Sequence, residues 1–279
     1  MPAHAELEGR TALVTGGASG IGAALCAELS DRGMAIVVAD IDYEDAQRVA
    51  AGLRQRGGTA LAVAVDVSDP DSVERLAQAA YAEYGSVELL CNNAGVLLFG
   101  TIEDSSLGDW RWLASVNVEG LLNSLHAFLP RMSAQTGWKH VMNTASTHAF
   151  LADPSFTALY TATKQAIVAV TQGLRHELRE QGFGVTLLCP GQADTRILDS
   201  QRNRPERFGR RADEPFGTGD VPLAIGVDEV ARRAVAGLLV DAEIVFALPS
   251  EGLEQFRGQL EEWWRLADDA LVRHTEPLT

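Results

Sequence analysis

Short, almost wholly apolar runs alternate with longer segments of helical period along most of this chain, and that rhythm narrows the possible fold more than any other feature. TALVT from Thr11 precedes a helical stretch from about Ile21, and AIVVAD from Ala35 precedes another from about Glu44. TALAVAVDV from Thr59 leads into a helix opened by Asp69-Pro70, an acidic cap with proline at the first helical position. The pattern continues with VELLCN from Val87, a long helix from Asp109 to about Thr136, HVMNTAS from His140, a helix through Tyr160 to Gln181 and GVTLLCP from Gly184. Strands with one wet face alternate apolar and polar residues. These do not, so both faces need cover, and the expectation is an α/β fold with one doubly wound parallel sheet between two layers of helices.

The length of 279 residues fits one such domain, expected to span 1–279. Regularity lapses over about 192–226, where Gly, Pro and Arg crowd together, and a stretch of this kind is expected to form a lid over a site. A helix from about Asp228, the run EIVFALP and an acidic amphipathic helix over about 251–274 follow. That last helix places Leu253, Phe256, Leu260, Trp263, Trp264, Ala267 and Leu271 at helical spacing. A net charge of −15 argues against a nucleic-acid groove or an anionic membrane surface as partner, because the cationic excess that neutralises phosphates is missing. Cys26, Cys91 and Cys189 sit in apolar stretches without metal-ligand spacing and are expected to be reduced core thiols, with no metal bound. No basic-then-apolar leader opens the chain and no apolar run reaches spanning length, so a cytoplasmic location is expected.

Two constellations carry chemistry. After the first strand comes Thr15-Gly16-Gly17-Ala18-Ser19-Gly20-Ile21-Gly22. Glycines at such a strand-to-helix turn permit the tight bend, the close approach of backbone to a pyrophosphate and the packing of helix on strand, which marks a Rossmann-type dinucleotide site. Asp40 ends the second strand, where a carboxylate can accept from the adenosine ribose hydroxyls and repels the extra phosphate of NADP. No Lys or Arg follows in Ile41-Asp42, so the electrostatics favour NAD; alternatively, Asp40 merely caps the next helix. The second constellation is Tyr160-Thr161-Ala162-Thr163-Lys164, which puts phenol and ammonium on one helix face. A phenol ionises near pH ~10, and a neighbouring ammonium is expected to lower that value. The chain has only two lysines, Lys139 and Lys164, against twenty-one arginines, which makes a chance Tyr-x-x-x-Lys a poor explanation.

With these residues in place the chain resembles the short-chain dehydrogenase/reductase family from Arg10 to about Leu248, in the subgroup with TGxxxGxG and YxxxK motifs. The resemblance assigns catalysis to Asn117, Ser146, Tyr160 and Lys164, with Thr144 and Thr147 as alternative hydroxyls to Ser146. It assigns cofactor contacts to Gly16, Ser19, Gly20, Ile21, Gly22, Asp40, Asp66, Val67, Asn93, Ala94, Gly95, Tyr160, Lys164, Pro190, Gly191, Ala193 and Thr195. It also implies a water held by Asn117 between Lys164 and solvent.

The expected reaction is NAD-dependent interconversion of a secondary alcohol and a ketone by hydride transfer. Tyr160 is the general acid/base, and the substrate is a small, largely apolar molecule. Leu97, Leu98, Phe99, Phe150, Leu151, Pro154 and Phe156 are candidate pocket walls or plain core residues. The six arginines of Arg196–Arg211 either bind an anionic substrate group or pair with acidic surface, and His148 is a further candidate for substrate contact. Two alternatives remain: an NADPH-dependent 3-oxoacyl thioester reductase, and a catalytically silent NAD-binding regulator. Apolar residues around the helices 109–136 and 156–181, among them Leu121, Leu122, Leu125, Phe128, Leu129, Ala166, Ile167, Val168, Val170 and Leu174, predict a homo-oligomer, tetramer or dimer.

Overall fold

The computed structural model describes residues 7–150, 157–209 and 224–275, without the side chains of 263 and 266–275. Seven apolar segments form strands: β1 Thr11–Thr15, β2 Ala35–Asp40, β3 Ala60–Ala64, β4 Leu89–Asn92, β5 Lys139–Thr144, β6 Phe183–Pro190 and β7 Ile244–Ala247. All pair in parallel in one sheet of order β3-β2-β1-β4-β5-β6-β7. The order reverses between β1 and β4, and the carboxyl ends of strands at such a switch point leave a crevice.

The helices are α1 Gly20–Asp31, α2 Tyr43–Gln55, α3 Pro70–Tyr84, α4 Leu107–Ala114, α5 Gly120–Ser133, α6 Ala158–Leu178, α7 Val227–Leu239 and α8 Ser250–Thr275. Successive strand residues face opposite ways, and helices cover both faces, with the edge strands β3 and β7 left partly exposed. Ala12, Val14, Ile36 and Val38 pack with Leu25 and Leu29 of α1, Leu53 of α2 and Val230 and Leu238 of α7. Leu13, Val37 and Leu90 pack with Leu76 of α3, Leu125 and Phe128 of α5 and Ile167 and Leu174 of α6. This is why the strands carry no alternation. Asp69 caps α3 as expected, accepting from the N–H of Asp71, with Pro70 inside the first turn.

The structure departs from the sequence reading in three places. The expected helix from Asp109 to Thr136 is two helices, α4 and α5, joined by a π-helical turn over Ser115–Glu119. The wider turn absorbs a residue that hydrophobic period does not register, and Asn117 lies within it, 1% exposed. The third strand stops at Ala64 rather than running on to Val67. The described part of the expected lid is not featureless: Arg196–Asn203 and Glu206–Phe208 form short 3-10 turns, while 210–223 lie outside the described residues. In keeping with one side of these helices lying on the sheet, Leu121, Leu125, Phe128, Ile167 and Leu174 are buried in the core, while Leu122 is exposed on α5.

Candidate active site

A cleft of about 410 Å³ opens at the carboxyl ends of the central strands. One wall is the turn between β1 and α1. Gly16 and Gly20 adopt φ of +65° and +53°, and a Cβ on Gly16 would stand 2.9 Å from the Ala94 Cα. Ser19 precedes α1 without making a side-chain cap, and no acidic residue occupies the helix's first turn. The N–H groups of that end are therefore left to an anion, as a pyrophosphate requires. Gly16, Ser19, Gly20 and Ile21 line the cleft. Gly22 does not: it lies behind the turn, where a Cβ would meet the Gly16 carbonyl at 2.0 Å, so its part is packing rather than contact.

Asp40 stands at the far rim, its carboxylate accepting from the N–H of Ala18 and of Asp42 at 3.0 Å each. The same carboxylate thus braces the glycine turn and faces the cleft. Asp66 and Val67 continue this rim, with Asp66 accepting from Ser68 Oγ at 2.6 Å. After β4, the Asn93 amide donates to the carbonyl of Thr15 at 3.1 Å, and Thr15 Oγ1 accepts from the N–H of Asn93 and Ala94, which ties the two central turns together. Asn93, Ala94 and Gly95 line the floor, and Pro190, Gly191, Ala193 and Thr195 line the opposite side beyond β6. This uncapped helix end, with glycine backbone pressed against it and a carboxylate beyond it, fits a dinucleotide.

Ser146, Tyr160 and Lys164 converge in the same cleft. The Ser146 hydroxyl faces the Tyr160 phenol across the cleft and favours its ionised form. Lys164 Nζ donates to the Thr144 carbonyl at 3.1 Å and lies 5.6 Å from the centre of the Tyr160 ring. Burial pushes the phenol up to about 12, with Ser146 opposing it, and pulls the Lys164 ammonium down to about 8. The expected depression of the phenol is not what the geometry produces: desolvation of both groups outweighs their proximity. Asn117 sits behind the cleft wall, donating to the Val96 carbonyl at 2.9 Å and to Thr163 Oγ1 at 3.0 Å while accepting from the Val96 N–H at 2.8 Å. It clamps the loop after β4 onto α6 and reaches no cleft surface. Of the alternative hydroxyls, Thr147 is outside the cleft lining, and Thr144 Oγ1 is buried without a hydrogen-bond partner.

The segment after Thr195 crosses the cleft mouth and supplies Ile197, Leu198, Ser200, Asn203 and Pro205 to its lining. Its described arginines are paired. Arg196 meets Asp45 at 3.1 Å, Arg207 meets Asp66 at 3.6 Å, Arg202 donates to the carbonyls of Arg196 and Asp199, and Arg204 forms a buried ion pair with Asp109 at 2.5 Å. Of the candidate apolar walls, Leu97 and Phe99 line the cleft, but Leu98 packs inward with Trp112 and Leu113, and Phe150 meets Phe246 and Phe256 edge-on. Leu151, Pro154 and Phe156 lie outside the described residues. Sequence reasoning missed Trp112, Val96, Ile197 and Ser200, which reach the cleft only through tertiary folding; no local motif marks them.

A family model described as short chain dehydrogenase matches residues 10–206. The chain is 35% identical over 262 residues to a 1-deoxy-11-beta-hydroxypentalenate dehydrogenase of Streptomyces exfoliatus, covering 93% of this chain and 90% of that protein. Among solved structures it superposes with a TM-score of 0.84 and 31% identity on a short chain dehydrogenase/reductase from Burkholderia phymatum in complex with NAD, covering 99% of each chain. A short chain dehydrogenase from Burkholderia cenocepacia in complex with NADP gives a TM-score of 0.72 at 28% identity, over 87% of this chain and 98% of that one.

Proposed function

Because this chain belongs to the short-chain dehydrogenase family and is an oxidoreductase, we propose that it interconverts a secondary alcohol and a ketone on a small, largely apolar molecule, with NAD as its cofactor. The observation that carries this reading is the meeting of Ser146, Tyr160 and Lys164 in the cleft that also holds the uncapped end of α1. When bound, NAD supplies the hydride acceptor and a positive charge beside the phenol. The α1 N–H groups hold its phosphates, Asp40 its adenosine ribose, and Lys164 its nicotinamide ribose. Gly95, Ala193 and Thr195 seat the remainder.

Tyr160 Oη exchanges a proton with the reacting oxygen: it takes the alcohol's proton during oxidation and returns one during reduction. With burial holding the phenol at about 12, Oη carries its proton at neutral pH and is ready to act as an acid. Ser146 donates a hydrogen bond to the same oxygen as negative charge develops there, and an aligned donor of this kind contributes roughly 2.7 to 4 kcal/mol. Leu97, Phe99, Trp112, Ile197 and Leu198 shed water around the substrate. NAD is preferred to NADP because the Asp40 carboxylate repels a 2′-phosphate, and the Arg196 guanidinium, which also lines the cleft, is already paired with Asp45. We also propose self-association through α5 and α6, where Leu122 is 44% exposed.

The test is turnover on a panel of cyclic secondary alcohols, including borneol and cyclohexanol, and their ketones, with NAD(H) and NADP(H). Tyr160→Phe is expected to bind NAD normally and lose about 10²-fold or more in turnover. Asp40→Ala with Ile41→Arg shifts the kcat/KM ratio toward NADP. A wild-type protein that binds NAD but is inactive across the panel in both directions refutes an enzymatic reading in favour of a silent nucleotide binder. A particle of single-chain mass in light scattering refutes self-association.

A further inference from the structure

His148 lines the cleft two residues beyond Ser146, and the reaction as proposed gives it no task. Its Nδ1 stands 3.2 Å from Ser146 Oγ, and its backbone N–H donates to the same oxygen at 3.2 Å. Its ring meets that of Tyr160 edge-on, with centroids 5.9 Å apart and planes at 76°. The short turn Thr147–Ala149, entered from an extended Ser146, fixes this three-way contact in the backbone.

A hydroxyl owns one hydrogen and two lone pairs. Ser146 Oγ here bonds two groups of His148, the backbone N–H and Nδ1, and shares the cleft with the Tyr160 phenol. The backbone N–H can only donate, so it occupies one lone pair. If Nδ1 is bare, it takes the serine's single hydrogen, and Ser146 can then do no more than accept at the reacting oxygen. If Nδ1 carries hydrogen, it fills the second lone pair, and the serine hydrogen is left for the phenol or a substrate oxygen beside it. Only this second arrangement makes Ser146 a donor.

We propose that His148 is a positioning residue: acting as an Nδ1–H donor to Ser146 Oγ, it sets the hydroxyl so that its hydrogen points at Tyr160 and the reacting oxygen. This rests on the reading of Ser146 as hydrogen-bond donor. The edge-on contact with Tyr160 holds the imidazole in the orientation the donation needs. Losing an oxyanion donor outright costs roughly 10²–10³ in kcat, so losing its orientation costs a part of that, about 10-fold to 30-fold.

The experiment measures borneol oxidation with NAD, and cyclohexanol oxidation as a second probe, in wild type, Ser146→Ala, His148→Phe, His148→Asn and the Ser146→Ala/His148→Phe double variant. His148→Phe is expected to lower kcat by that factor while KM for NAD stays within about twofold. Asparagine places an amide N–H near the Nδ1 position, so His148→Asn keeps most of the wild-type kcat. In the Ser146→Ala background the Phe substitution adds no further loss, because the hydroxyl it positions is gone. Wild-type turnover in His148→Phe, an equal loss in both backgrounds, or an Asn variant as slow as the Phe variant overturns the proposal. If Ser146→Ala falls below detection, the comparison of Asn with Phe decides alone. Full activity in Ser146→Ala overturns instead the functional reading on which the proposal rests.

Discussion

The strap across the cleft hangs on one buried ion pair, and removing one half of it is the sharpest test of how the lid is held. Arg204 and Asp109 have side chains 2% and 4% exposed, with Nη1 2.5 Å from Oδ1. Nη2 also donates to the Phe208 carbonyl at 2.7 Å, and the guanidinium lies over the Trp112 ring at 5.1 Å. Arg204→Met keeps an apolar stem over Trp112 but leaves the Asp109 carboxylate buried without its counter-ion. Breaking a buried pair from one side typically costs about 3–5 kcal/mol. The low end applies here, because Asp109 keeps its bonds from the Ser106 N–H at 2.8 Å and hydroxyl at 2.9 Å, and it stays in the first turn of α4. A loss of about 3 kcal/mol, at a urea dependence of about 3 kcal/mol per molar, moves the unfolding midpoint down by about 1 M. Adding Asp109→Asn removes the stranded charge and restores about half of that loss. A midpoint shift below about 0.3 M, or a double variant no more stable than Arg204→Met, refutes the reasoning.

Three further outcomes follow from buried geometry. His140 is 1% exposed and bonds Thr186 Oγ1 at 2.9 Å, and burial pushes its imidazole down to about 4. The unfolded chain, with a histidine value near ~6.5, binds that proton first, so the stability is complete above about pH 6.5 and lost as pH falls toward 4, by about 3 kcal/mol. His140→Gln keeps a donor but not the titration, and a stability–pH slope identical to wild type in that window sinks the argument. Gly22→Ala forces a methyl to 2.0 Å from the Gly16 carbonyl and 2.7 Å from Asn93 Nδ2. It is expected to cost about 3 kcal/mol and to abolish NAD binding by calorimetry, and unaltered binding contradicts the placement of that glycine. Phe256 anchors α8 on Phe246 at 5.1 Å and Phe150 at 6.3 Å. Phe256→Ala therefore releases the helix to limited proteolysis and lowers stability by about 3 kcal/mol, whereas an unchanged cleavage pattern shows that α8 is held elsewhere.

Much of the sheet was legible because strands inside it are buried on both faces and write themselves as apolar runs, as at Ala35–Ala39 and Leu187–Cys189. The glycine turn was legible because its glycines crowd into one short segment between a strand and a helix, although the atoms that exclude a Cβ at Gly16 and Gly20 belong to Ala94 and Thr195, far along the chain. What failed depended on partners far away in sequence. The π-helical turn around Asn117 has no signature in hydrophobic period, since its cause is the loop at Val96 and the hydroxyl of Thr163. The arginines of the strap read as a charge run, and nothing local says that Arg204 is buried against Asp109, 95 residues earlier, while Arg196 grips Asp45 on α2.

The Tyr160/Lys164 pair shows the limit most sharply. Spacing puts both side chains on one face of α6, and spacing alone suggests that the ammonium favours phenolate. Where Nζ comes to rest, however, is decided by the Thr144 carbonyl at the end of β5, a group the motif does not contain. Both groups are buried, and desolvation outweighs the opposing effect of the Cys189 thiol on the ammonium, so each moves toward its neutral form: the phenol to about 12, the amine to about 8. At neutral pH Tyr160 therefore holds its proton and Lys164 keeps its charge with a narrow margin, and Ser146 is the side chain that favours phenolate. In the proposed reaction, oxidation would begin by moving the proton against the burial of the site, and the positive charge of a bound nicotinamide would act in that direction. A motif read in one dimension names the proposed proton carrier, but its environment belongs to the three segments that close around it: the end of β5, the turn at Ser146–His148 and α6.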